Sequence, residues 1–110
     1  MSRSAHVHAA TLDLADEVDP AAVGAAVTTE LCGHWEHEGP CRWPHHNATE
    51  RIGDAYELRV VFVAPDAEVA QVHARIGSAL ERMNGCAVSA QDADQLRADE
   101  AALGTRLASS

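Results

Sequence analysis

The chain contains no lysine: its cations are eight arginines, set against 17 Asp and Glu. The formal net charge of −9 argues against nucleic acid as a partner, because that affinity comes largely from Lys and Arg on phosphates. Aromatic residues are scarce as well, with one Phe, one Tyr and two Trp, so a core has to be built mostly from Ala, Val and Leu. No apolar run approaches the length of a membrane span. The first residues, Met1 to His8, have no apolar signal core. Together these absences point to a cytoplasmic protein without a membrane partner. In a reducing compartment the three cysteines read as metal ligands or buried thiols before disulfides.

What is present fits one domain, residues 1–110, by size. Residues 5–14 alternate as a strand does, with His6, His8, Ala10, Leu12 and Leu14 on one face. Asp19-Pro20 reads as a helix start, Asp19 capping free N–H groups and Pro20 sitting where no N–H is needed. Val23, Val27, Leu31 and Trp35 then form an apolar stripe that ends near Gly39-Pro40. Residues 42–52 are polar and contain Pro44, which suits an edge strand. Gly53-Asp54 predicts a type II′ turn into the strongest strand, residues 55–64. Pro65-Asp66 opens a second helix to about Met83, closed by Asn84-Gly85. A short strand over 85–90 follows, and Asp92 is the expected cap of a surface helix running to about Leu107. The order predicts an α+β fold, a ferredoxin-like βαββαβ sandwich with an extra C-terminal helix.

The chemistry is concentrated between Cys32 and His46. Cys32, His34, His37, Cys41, His45 and His46 lie within this stretch, as do both tryptophans, Trp35 and Trp43. Thiolate and imidazole are the donors that suit Zn²⁺, and four of them close a site. His34 and His37 stand three apart at a helix end, and Gly39-Pro40 lets the chain turn so that Cys41 swings back. The first-choice ligands are His34, His37, Cys41 and His45. The additional candidates are His6, His8, Cys32 and His46. Zinc is favoured, with copper and nickel compatible with the same donors. The expected function is therefore a small transition-metal-binding protein. No signature of a cysteine nucleophile surrounds Cys41, and no paired catalytic carboxylates stand out.

The fold expectation brings these residues to one corner. Counting back from the Gly53-Asp54 turn sets His45 opposite Phe62 on the helix-covered face, and strand alternation sends His46 to the other face. The same register puts polar Asn47, Thr49 and Arg51 on the covered face. A second reading takes the Trp35/Trp43 and histidine corner as a small-molecule or catalytic pocket in a dimeric ferredoxin-like domain. Cys86 and His73 read as packing residues, and Asp92 to Glu100 as a solvated helix face. The opposite sheet face, with Val7, Ala9, Thr11, Val61 and Val63, is apolar enough to need a cover. This predicts a homodimer through that face.

Overall fold

The computed structural model describes residues 3–32 and 43–109. They form an α+β domain with a four-stranded antiparallel sheet and three helices. The elements are β1 (Arg3–Leu14), α1 (Pro20–Cys32), β2 (His45–Ile52), β3 (Ala55–Pro65), α2 (Val69–Arg82), β4 (Cys86–Asp94) and α3 (Ala98–Ala108). The strand order is β2-β3-β1-β4, so β1 and β3 are central and antiparallel, and β2 and β4 are the edges.

Local chemistry explains the starts and turns. Asp19 Oδ1 accepts the Ala21 N–H at 2.9 Å, capping α1 one residue before Pro20. Gly53 has φ 62°, and no non-glycine among the described residues has positive φ. A positive φ confined to the first turn position is the type II′ pattern, and the pairing Ile52↔Ala55 closes the β2–β3 hairpin around it.

The core lies between α1, α2 and one sheet face. Leu12, Val23, Val27, Leu58, Val60, Phe62, Val72, Ile76 and Leu80 are completely buried there. Phe62 is the centre of the row in which His45, Phe62 and His6 stand side by side across β2, β3 and β1. Trp43 is the largest buried side chain among the described residues, 1% exposed. Its indole N–H donates to Glu68 at 2.9 Å, and the Arg75 guanidinium lies over its ring.

The C-terminal part departs from the sequence expectation. β4 runs to Asp94, and α3 begins at Ala98, so Asp92 is a strand residue instead of a cap. A register shift at Thr11/Leu12 leaves Ser89 bulged and lets β4 continue along β1 to Val7↔Asp94. α3 is started by Arg97 and Glu100, whose carboxylate accepts the Arg97 N–H at 2.8 Å. The helix packs on β1 and β3 on the face away from α1 and α2. It covers part of the surface that the sequence leaves for a second copy: Val7, Val61 and Val63 are buried, whereas Ala9 is half-buried and Thr11 is exposed.

This docking rests on Arg59. Its guanidinium donates to both oxygens of Glu100 at 2.8 Å, to Asp94 at 2.7 Å and to the Gln95 carbonyl at 3.0 Å. Arg59 and Glu100 are 5% and 8% exposed, so this part of the acidic stretch is a buried ion pair and not a solvated face. Paired this way, the Glu100 carboxyl is held below the usual carboxylate range. Gly104 seats α3 on β1, since a Cβ there would stand 2.7 Å from Ala5 Cβ.

Candidate functional site

His45 opens β2 and points under α1. Its pairing with Phe62 matches the register expected from the turn, and Pro44 O accepts the Val63 N–H just before it. A continuous polar chain orders the ring. Asn47 Nδ2 donates to the Gly24 carbonyl at 3.0 Å and to Thr28 Oγ1 at 3.1 Å. The Thr28 hydroxyl lies 3.0 Å from His45 Nε2, and His45 Nδ1 lies 3.1 Å from the Trp43 carbonyl. A carbonyl only accepts, so Nδ1 carries the proton and Nε2 accepts from Thr28. Cys32 Sγ is 3.9 Å from Nδ1. Burial is the main reason that the His45 pKa is lowered, and the ring is neutral at pH 7. The small residues of α1, Gly24 and Thr28, are what admit polar Asn47 beneath a helix.

A second group lies across Phe62, under α2. His6 stacks on Phe62 at 5.6 Å, and His73 meets the same ring edge-on at 5.2 Å. His8, 4% exposed, has Nε2 2.9 Å from Gln91 Oε1 and Nδ1 2.8 Å from His73 Nδ1. Gln91 Oε1 is an acceptor, so His8 Nε2 donates and His8 Nδ1 accepts from His73 Nδ1–H. Gln91 is the residue that sequence reasoning missed here; His73, read as a packing residue, is half-buried as expected and also bonds His8. His73 sits 65 positions from His8, and nothing local announces the contact. His8 and His73 are both shifted to lower pKa, first by burial, and His73 further by its histidine neighbours.

The sequence-predicted site residues therefore separate. His45, Cys32 and Trp43 share the α1 side of Phe62. His6 and His8 belong to the α2 side, where His6 Nε2 is 2.9 Å from Ser4 Oγ. His46 is exposed on the opposite face. Cys32 is disulfide-bonded, where the sequence favours a thiol or ligand. Trp43 belongs to the core, buried too deeply to act as an open pocket wall. His34, Trp35, His37 and Cys41 lie outside the described residues. Among the described residues no three His, Cys, Asp or Glu side chains are grouped to hold a metal ion. Cys86 is a free, half-buried thiol opposite Leu14, at the far end of β1 from His6, and burial raises its pKa. No described helix is long and apolar enough to cross a membrane. Comparison with protein-family models, with curated proteins and with solved structures finds no match to this chain.

Proposed function

We propose that the chain is a small cytoplasmic transition-metal-binding protein with His34, His37, Cys41 and His45 as ligands. Zinc is the favoured ion, and copper and nickel suit the same donors. The observation that carries this reading is the orientation of His45. Its Nδ1–H is fixed on a backbone carbonyl, the arrangement that in metal sites leaves Nε2 to the ion. Burial keeps the imidazole neutral, which is the ligating form. The Thr28 hydroxyl on Nε2 is the group an ion would displace. The density of His and Cys from Cys32 to His46 supplies the other donors in sequence. His6, His8, Cys32 and His46 are weaker candidates. His8 has both ring nitrogens engaged, and His46 belongs to the other sheet face. Cys32 is disulfide-bonded, so any thiolate ligation in the proposed site belongs to the reduced chain.

The same proposal includes a ferredoxin-like architecture. The β-α-β-β-α-β order supports it, as does the packing of α1 and α2 together over the sheet. A homodimer also belongs to the proposal; of the sheet face expected to carry it, α3 leaves Ala9 and Thr11 uncovered.

Elemental analysis of untagged protein, reduced and oxidised in parallel, tests the metal reading. The expected result is about one equivalent of Zn, Cu or Ni in the reduced protein, lost in His45→Ala and in Cys41→Ala. Unchanged stoichiometry in His45→Ala removes that residue from the site. No metal on purification and none on titration overturns the function.

A further inference from the structure

The outer edge of β2 is an open hydrogen-bonding surface among the described residues. Backbone bonding within the hairpin alternates. Pro44 O bonds Val63 N, and Ile52↔Ala55 closes the two-residue turn, so the even-numbered residues of β2 exchange bonds with β3. The N–H and C=O groups of His45, Asn47, Thr49 and Arg51 therefore point outward. The charged residues of this edge, Glu50 and Arg51, stand together at the turn end, which leaves His45 to Thr49 without a formal charge, a Pro or a bulge. The edge pairs with β3 from His45 to Ile52 without a shift and holds no Lys or Pro, whereas the β4 edge is bulged and acidic.

We infer that β2 pairs antiparallel with β2 of a second copy, with Ala48 opposite Ala48 across a two-fold axis. This register is the one that engages all four outward residues: His45 with Arg51, and Asn47 with Thr49, each twice. It sets the His46 imidazole against the Glu50 carboxylate twice on the exposed face, a donor–acceptor match across the axis. It also sets Ile52, the most exposed large apolar side chain among the described residues at 53%, against Pro44. On the helix face it brings the Thr49 hydroxyl opposite Asn47. Asn47 Oδ1 is a buried acceptor with no hydrogen-bond partner among the described residues.

α1 fits the same contact. Its only charged residue, Glu30, pairs with Arg82 and Arg75 of α2. Its flank toward β2 is Ala21, Gly24, Ala25 and Thr28, which with Asn47 and Thr49 line a groove of about 430 Å³. Small side chains there permit close approach of the same helix from the second copy, where a solvated face would ordinarily carry charge. The inference stands independently of the metal reading.

Light scattering after size exclusion, on the full chain and with circular dichroism for each variant, tests the pairing. Wild type is expected to be a dimer. Thr49→Pro removes an outward N–H while sparing the β2–β3 ladder, and is expected to be a folded monomer. His46→Glu sets two like charges against Glu50 and weakens the dimer at least tenfold. Its combination with Glu50→His restores the dimer. Ala48→Cys cross-links two chains on oxidation, as an unbonded antiparallel pair at about 4.5 Å allows, and Glu50→Cys does not. A monomeric wild type overturns the inference. So does a dimer left intact by both His46→Glu and Thr49→Pro. If Thr49→Pro fails to fold, the charge exchange and the cross-link decide.

Discussion

His8 Nδ1 and His73 Nδ1 face one another at 2.8 Å, and only one proton fits between them. With Gln91 Oε1 accepting from the other side of His8, the arrangement is complete when both rings are neutral. His6, Asp92 and Phe62 surround the pair, and burial dominates the shift of both rings to lower pKa. His45, on the far side of Phe62, is lowered for the same reason.

The pH dependence of stability follows from these three rings. Unfolded, each titrates near 6.5. Folded, each titrates lower, so between the two values the unfolded chain binds more protons. Stability is therefore full above about pH 6.5 and falls as the pH drops through the folded values. Asp94 and Glu100, held low by Arg59, add a second loss at more acidic pH. Urea midpoints measured from pH 8 to pH 4 should be flat at first and then fall in these two stages. His73→Leu leaves His8 Nδ1 without its donor. It should cost about 1–3 kcal/mol at pH 7.5 and make the first stage shallower. An unchanged first stage in this variant would mean that the pair does not titrate as the geometry requires.

The Arg59–Glu100 pair makes a different kind of prediction. Removing one partner of a buried ion pair strands the other charge, which costs about 3–5 kcal/mol. Asp94 and the Gln95 carbonyl remain on Arg59, so Glu100→Ala should fall at the lower end of that range. Replacing both partners by apolar groups, Arg59→Met with Glu100→Leu, should recover most of the loss. Urea unfolding of the three proteins checks this. A double variant no more stable than Glu100→Ala would show that the pair contributes more than mutual neutralisation.

Much of the sheet was legible because the relevant signals are local. The alternation in β1, the Asp19-Pro20 start and the Gly53-Asp54 turn each involve residues a few positions apart. From the turn alone the pairing of His45 with Phe62 could be counted. The end of the chain was not legible for the opposite reason. Asp92 reads locally as a helix cap, and only the position of Arg59, 35 residues from Asp94 in sequence, keeps an acidic segment in a strand. The burial of Glu100 and the His8–His73 contact are also products of tertiary placement. At the candidate site, the position of His45 was readable, but its polar chain through Thr28 and Asn47 was not, because it depends on how closely α1 lies over β2.

Gly104 offers the sharpest test of how α3 is seated. In an exposed helix interior, glycine is worth about 0.5–1 kcal/mol less than alanine, so Gly→Ala ordinarily stabilises. Gly104 is buried against β1, and the added Cβ would stand 2.7 Å from Ala5 Cβ, a distance that neither side can relieve by rotating a side chain. Either α3 lifts or β1 bends. Gly104→Ala should therefore destabilise, by about 1–3 kcal/mol, the range for overpacking a filled interior. Shifting α3 also strains the Arg59–Glu100 geometry, so this variant and Glu100→Ala should combine with less than the sum of their separate costs. Ala5→Gly should rescue Gly104→Ala, because it removes the atom that the new methyl meets, even though glycine alone weakens a strand. Thermal or urea unfolding of the two single variants and the double variant closes the cycle. A Gly104→Ala protein at least as stable as wild type, or a double variant without recovery, would mean that α3 is not held in close contact with β1 at this point.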